Sequence, residues 1–288
     1  MLNGNLKLAV QKNGRLTEKS LQLLKNCGID VENYSERLLI SARNFELDIL
    51  FLRDDDIPEY VQDGVADLGI VGGNVVTERQ ANVDIIKRLG FGKCSLQIAV
   101  PEKYNLKNVD ELNGKTIATS YPVILKNYLS ENKINAKIIE LSGSVEISPS
   151  LGVSDFICDI VSTGTTLKMN HLKPSFTVYE SESVLISSIN KFNPEKQKLV
   201  DSLVMRIDSA LNARKSKYLM MNIPKSSLNI IKDKLPALKS PTVLALADES
   251  MLALHAVIPA DKFWEIQNDL KSAGASGILL LPIENIIL

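Results

Sequence analysis

The stretch DFICDIVSTGTTLKMN, Asp155 to Asn170, joins an apolar run to a helix-compatible segment through a loop of hydroxyl side chains. Phe156-Ile157-Cys158 reads as a buried strand, and Asp159 stands near its carboxyl end. Ser162, Thr163, Gly164, Thr165 and Thr166 form the loop. A strand delivered through a loop into a helix is the repeating step of an α/β fold. The same step recurs on both sides. LKLAV leads through QKNGR into TEKSLQLLKNCG, where Thr17 is expected to N-cap a helix and Gly28 to end it. FELDILFL, IPEYVQDG, ADLGIVGG and NVVTERQ then alternate strand, helix, strand, helix. SLQIAVP and GKTIATSYP are followed by a helix from about Val123 to Glu131, the strand AKIIEL and a helical SVEISPSLG. Beyond the opening stretch, TVYESESVLISS reads as one strand, and a helix opened by Asn193-Pro194 runs to about Arg214. KYLMMNIP, SSLNIIKDKL, PTVLALA, MLALHAVIP, ADKFWEIQNDLKSAGA and GILLLPI then give the order β-α-β-β-α-β of a ferredoxin-like domain.

A chain of 288 residues has room for two or three such domains. With 45% hydrophobic and 23% charged residues and a net charge of -1, it has the profile of an ordinary soluble protein and no basic excess for nucleic acid. Cys27, Cys94 and Cys158 are isolated and flanked by apolar residues, which fits reduced core cysteines. The N-terminus lacks the apolar core of a signal peptide and GILLLPI is too short to span a bilayer, so the cytoplasm is the expected compartment and no membrane partner is expected. His171 and His255 are the only histidines, too few for a histidine metal cluster. His171 reads as a surface residue and His255 as a core or interface residue. Trp264, on a helix with Phe263, Ile266 and Leu270, is expected to pack against a sheet.

In open α/β sheets ligands gather beyond the carboxyl ends of the strands, which directs attention to the loops Lys12–Arg15, Gly69–Asn74, Thr119–Pro122 and Ser162–Thr166. The last can present backbone N–H groups and hydroxyls to a phosphate at a helix start, or serve as an ordinary Ser/Thr cap. It lacks GxxxxGK[ST], so it is not a nucleoside triphosphate P-loop. A carboxylate at Asp159 would repel a phosphate unless it faces sugar hydroxyls or a bridging Mg²⁺, and Glu146 is a second carboxylate for the same task. Lys12 and Arg15 flank the Asn13-Gly14 turn and can hold phosphate or make a charged surface turn. Arg53 precedes three aspartates in an arrangement that also suits an electrostatic turn.

QKNGRL, RDDDIPEYVQDGVADLGIVGGN, LGFGKCSLQIAVP, IATSYP and above all DFICDIVSTGTTL resemble the successive motifs of the ATP phosphoribosyltransferase family, the first enzyme of histidine biosynthesis. SPTVLALAD and FWEIQNDLKSAGASGILLLPIE resemble the regulatory domain of its long form. The resemblance implies a bilobal, type II periplasmic-binding-protein-like catalytic unit plus a C-terminal ferredoxin-like (ACT-like) domain. Lobe I would comprise 1–95 and 178–214, lobe II 96–177 with the phosphoribosyl pyrophosphate loop, and the regulatory domain 215–288. The family joins N1 of ATP to C1 of phosphoribosyl pyrophosphate with Mg²⁺ as cofactor, is inhibited by histidine, and forms homohexamers that exchange with dimers. Asp159 and Glu146 would be catalytic and bind the ribose hydroxyls. Ser162, Thr163, Gly164, Thr165 and Thr166 would hold the 5-phosphate. Lys12, Gly14, Arg15, Arg53, Asp67, Gly69, Gly72, Gly73, Thr119 and Tyr121 would serve ATP or pyrophosphate, and Leu235, Ser240 and Thr242 histidine. Asn74 stands where the family often has aspartate, and Ala245 where proline is frequent. The alternatives are a non-catalytic small-ligand sensor on the same fold, a catalytically dead relative, and prephenate dehydratase, whose Thr-Arg-Phe and Glu-Ser-Arg-Pro signatures are missing.

Overall fold

Leu6, Leu8, Ala9 and Val10 of the first strand, β1 (Leu6–Gln11), are all fully buried. An apolar run without alternation is what a central parallel strand needs, because both of its faces are covered. The computed structural model describes residues 4–32, 37–161 and 165–288. After β1 come α1 (Arg15–Asn26), β2 (Leu39–Ser41), β3 (Leu47–Leu52), α2 (Ile57–Gln62), β4 (Leu68–Gly72), α3 (Gly73–Arg79) and β5 (Val83–Arg88). The second series is β6 (Cys94–Pro101), β7 (Thr116–Thr119), α4 (Pro122–Glu131), β8 (Lys137–Glu140), β9 (Phe156–Val161), α5 (Thr165–Met169) and β10 (Leu172–Ser181). β11 (Ser183–Ser188) returns to the first sheet and α6 (Pro194–Arg214) follows it.

The first sheet has the order β2-β3-β1-β4-β11-β5 and the second β10-β6-β9-β7-β8. In each, three strands run parallel: β3, β1 and β4 in the first, β8, β7 and β9 in the second. In each, the strand arriving from the other sheet, β11 or β6, lies antiparallel beside the third of these and carries the outer strand on its far side. The two lobes thus repeat one pattern, the binding-protein-like lobe the sequence leads one to expect. The remaining elements, β12 (Ser216–Pro224), α7 (Leu228–Lys234), β13 (Thr242–Ala245), β14 (Met251–Pro259), α8 (Phe263–Ser272) and β15 (Ser276–Pro282), form an antiparallel sheet ordered β13-β14-β12-β15. Its core gathers Leu219, Met221, Ile223, Leu254, Ile258 and Leu270. No helix among the described residues is long and apolar enough to cross a membrane.

The chain forms two compact units, one holding the residues up to Gln22 and Asp30–Lys196, the other Leu23–Ile29 and Gln197–Leu288. This grouping puts most of α6 with the terminal sheet, whereas the sequence reading gives 178–214 to the first lobe. The physical reason lies in its bonds within the second unit: Arg206 Nη1 donates to the Cys27 carbonyl (3.3 Å) and Ile286 N to the Ser209 carbonyl (3.2 Å).

Several local expectations change. The segment read as one strand from Thr177 to Ser188 is divided at Glu182, with its halves in different sheets. SVEISPSLG keeps only a single 3-10 turn, Val145–Ile147, since Pro149 has no N–H to continue a helix. Thr17 lies inside α1, and its hydroxyl donates to the Gln11 carbonyl (2.9 Å) instead of capping. Gly28 does end that helix, at φ 70°, with Ile29 N reaching back to the Leu24 carbonyl (3.0 Å). Trp264 is 73% exposed, one residue off the face that buries Phe263 and Leu270. The edge strands β2 and β5 have no counterpart in the sequence reading.

Asp67 and Gly69 belong to the scaffold. Asp67 sits at the amino end of β4, opposite the edge where the candidate loops emerge. Its carboxylate accepts from Lys7 N (2.8 Å) and from Lys196 Nζ (2.8 Å), which leaves little of it for a ligand. A Cβ on Gly69 would come 2.7 Å from Ile57 Cγ2 and 3.0 Å from Val61 Cγ2, so glycine lets α2 lie on β4. Asp67→Ala is expected to lower the unfolding free energy by about 2–3 kcal/mol, since it strands a partly buried ammonium. Gly69→Ala is expected to cost about 1–3 kcal/mol by overpacking. Chemical denaturation of each variant checks both.

Candidate active site

Parallel pairing places the carboxyl ends of β1, β3 and β4 along one edge of the first sheet, and those of β7 and β9 along one edge of the second. The loop after β1 follows from local geometry. Lys12 N donates to the Leu52 carbonyl (2.7 Å), extending the ladder by one residue, and Leu16 N donates to Gln11 Oε1 (3.3 Å). Gly14, at φ 141° and with a Cβ position only 2.7 Å from Gln11 Oε1, is the residue that lets the loop fold over that side chain. Lys12 is half-buried; Arg15 and Arg53 are exposed. Arg53 precedes the single turn Asp54–Asp56, whose Asp55 pairs with Arg79 (3.2 Å).

The turn after β4 is explained by packing. Ser181 Oγ accepts from Asn74 N (2.9 Å) and donates to Asn74 Oδ1 (2.9 Å), all of it buried. A Cβ on Gly72 would meet Asn74 Oδ1 at 2.5 Å, whereas Gly73 has ordinary room. An aspartate at position 74 would accept the same hydroxyl, so Asn74 keeps the scaffold contact.

In the second lobe Asp159 is partly buried near the end of β9, with Oδ1 accepting from Ile160 N (2.7 Å). Burial raises its carboxyl above the ordinary range and the neighbouring Glu146 carboxylate raises it further, while the Ile160 hydrogen bond opposes both. Tyr121 ties this site to the first lobe: its phenol is pushed upward, first by burial and then by the charges of Asp159, Asp54 and Asp55. Thr119 is fully buried, and its hydroxyl accepts from Tyr121 N (2.9 Å), so it shapes the loop without being reachable. Thr165 and Thr166 open α5 and are exposed; Ser162, Thr163 and Gly164 lie outside the described residues.

Beside Val161, where the hydroxyl loop begins, a cavity of about 460 Å³ is lined by Arg88, Lys93, Cys94, Ser95, Glu180, Ser181 and Glu182. Burial raises the Cys94 thiol above its ordinary range, opposed by a hydrogen bond with Ser181 and then by the charge of Arg15, which thus lies within electrostatic reach of this region. Lys93 and Arg88 join the candidate anion contacts, with Arg88 also paired to Glu182 (3.5 Å) and the Glu180 and Glu182 carboxylates in the same lining. Sequence reasoning missed both as individual residues, although LGFGKCSL was the signal available for Lys93. Among the described residues no cluster of three or more His, Cys, Asp or Glu could cage a metal. The Asp159 and Glu146 carboxylates offer hard oxygen donors to a metal ion that brings further ligands of its own.

In the terminal domain Leu235 is a core residue, 8% exposed, which removes it from any ligand surface. Ser240 is exposed ahead of β13, and Thr242 is exposed opposite His255, whose Nδ1 lies 3.1 Å from the Tyr218 hydroxyl.

Two family models match: "ATP phosphoribosyltransferase" over residues 53–209 and "HisG, C-terminal domain" over 213–285. The chain is 50% identical to an ATP phosphoribosyltransferase of Cytophaga hutchinsonii over 282 residues, 98% of each chain. It is 46% identical to one of Bacteroides thetaiotaomicron, over 98% of this chain and 99% of that one. A solved ATP phosphoribosyl transferase (HisG:HisZ) complex from Thermotoga maritima contains a chain that matches 70% of this one and is itself 98% covered, with TM-score 0.58 and 29% identity. A doubled parallel-strand lobe and a terminal βαββαβ domain, together with these matches along nearly the whole length, place the chain in the ATP phosphoribosyltransferase family, in its long form.

Proposed function

We propose that the protein joins N1 of the adenine of ATP to C1 of phosphoribosyl pyrophosphate. The N1 lone pair forms the new C1–N bond while the C1–O bond to pyrophosphate breaks, and the pyrophosphate leaves with the bonding electrons. The observation that carries this reading is Asp159 near the end of β9, within electrostatic reach of Glu146 on the turn Val145–Ile147 and followed in sequence by the hydroxyl-rich stretch Ser162–Thr166. Such a pair suits ribose hydroxyls, and the loop from Ser162 to Thr166 then takes the 5-phosphate. Lys12, Arg15 and Arg53, with Lys93 and Arg88 at the neighbouring cavity, neutralise ATP phosphates and the departing pyrophosphate. Gly14, which is exposed, lets backbone approach the nucleotide. Asp159 and Glu146 would hold a Mg²⁺, which would supply charge neutralisation for the departing pyrophosphate. The chain needs no covalent nucleophile, because displacement at an anomeric carbon is served by alignment and electrostatics.

The terminal domain is proposed to bind histidine at Ser240 and Thr242 and to couple it to turnover with about 1–3 kcal/mol, roughly 5- to 150-fold in affinity. A homo-oligomer working in the cytoplasm completes the reading.

The direct test follows absorbance as purified protein meets ATP, phosphoribosyl pyrophosphate and Mg²⁺, with and without histidine. N1-phosphoribosyl-ATP should form, and histidine should suppress it; folded protein that makes no product would sink the assignment. Asp159→Asn separates function from stability. Because the fold raises the Asp159 pKa, its contribution to stability is full below the ordinary value of 3.8 and is lost as pH rises through the folded value. The ligand-free variant should therefore melt above the wild type at neutral pH, with the gap closing in acid, while kcat/KM falls by about tenfold or more.

A further inference from the structure

Helix α4 begins with Pro122, which has no N–H, so Val123 and Ile124 carry its first unpaired donors. The N-cap residue, Tyr121, makes no side-chain cap. Glu78 supplies one from the other lobe: its Oε1 accepts from Val123 N (2.9 Å) and its Oε2 from Ile124 N (3.0 Å). A carboxylate at this end also meets the positive pole of a ten-residue helix. Glu78 belongs to α3, and its neighbours in sequence fasten that helix elsewhere. Thr77 Oγ1 lies 2.9 Å from the Tyr179 hydroxyl on β10, and Arg79 pairs with Asp55 at 3.2 Å. Three successive residues thus tie α3 to α4, to β10 and to the turn after β3.

We propose that Glu78 is a positioning residue: by capping α4 across the two lobes it sets the register of the Thr119–Tyr121 loop against the first lobe, and so the alignment of the two substrates. This rests on the function proposed above. The loop lies directly between β7 and the capped helix, and Tyr121 within it feels Asp159 on one lobe and Asp54 and Asp55 on the other. Loss of the cap lets that loop drift relative to the residues it should face. A misplacement of about 1 Å can cost on the order of a hundredfold in rate while leaving substrate grip largely intact. Glu78 touches neither reacting atom; it acts through the backbone of Val123 and Ile124.

The test compares wild type, Glu78→Ala and Glu78→Gln in three measurements: kcat and both KM values, amide hydrogen exchange across residues 119–125 without substrate, and thermal melting. In Glu78→Ala, kcat should fall about 10- to 100-fold with each KM moving less than about threefold. Exchange at Val123 and Ile124 should quicken, and the melting midpoint should stay close to wild type. Glu78→Gln, which keeps one acceptor oxygen at the same reach, should recover part of the lost kcat. Turnover of Glu78→Ala within about twofold of wild type overturns the proposal. So does unchanged exchange, and so does a large drop in melting with glutamine no better than alanine, which marks a merely structural role. A wild type that makes no product counts against the proposed reaction instead, and the exchange comparison then still decides whether the cap exists.

Discussion

Everything about the two lobes depends on how the chain gets from one sheet to the other. It does so twice, and the two crossings are bonded together. The return crossing takes a single residue, Glu182, between Ser181 in the second sheet and Ser183 in the first. Ser183 N donates to the Phe91 carbonyl and Leu89 N to the Ser183 carbonyl, each at 2.9 Å, so the outgoing segment between β5 and β6 is laced to the returning one. Glu182 adds its carboxylate to Gly90 N (3.0 Å) and its carbonyl to Gly73 N (2.9 Å). A short, doubly bonded waist cannot slide; it can only bend. The facing of the loops at the carboxyl ends of the parallel strands then depends on bending at this waist and on the bonds that α3 makes to α4 and β10.

Within that frame the candidate site is a place where the fold accepts electrostatic cost. Asp159 and Glu146 repel each other, Asp159 is partly desolvated, and Asp54 and Asp55 press on the Tyr121 phenol. Among the described residues, only Asp55 of these has a side-chain partner in the scaffold, Arg79, whereas the carboxylates of Asp67 and Asp48 are each taken up by part-buried donors. Strain of this kind concentrates where a ligand relieves it. The cations Lys12, Arg53 and Lys93 stand on the same edges, which supports the proposal of a ligand that brings both sugar hydroxyls and phosphates.

Much of this was legible in the sequence. Parallel strands buried on both faces announce themselves as unbroken apolar runs, so β1, β3, β4 and β9 were readable, and the terminal βαββαβ order followed from the spacing of its runs. What was not legible depended on partners far away in sequence. Asp67 looks like a strand-end ligand until Lys196, 129 residues later, claims it. Leu235 follows a helix as a binding residue might, yet the sheet of its own domain covers it. β5, VDIIKR, is half polar because it is an edge strand, and no local pattern distinguishes it from a loop. TVYESESVLISS has the period of one strand, and only the pairing partners reveal the break at Glu182. Glu78 carried no motif at all, since its significance lies in a proline 44 residues away that removes an N–H.

The exposed indole of Trp264 has a practical consequence. It is the only tryptophan in the chain, it stands on α8 of the terminal domain, and its ring meets Phe263 edge-on at 5.1 Å while facing solvent. Excitation selective for indole therefore interrogates the terminal domain alone. Its resting emission should be that of a hydrated fluorophore, red-shifted and open to collisional quenchers. Any event that covers α8 turns this one side chain into an optical gauge, with no label to attach and no background from the catalytic lobes to subtract.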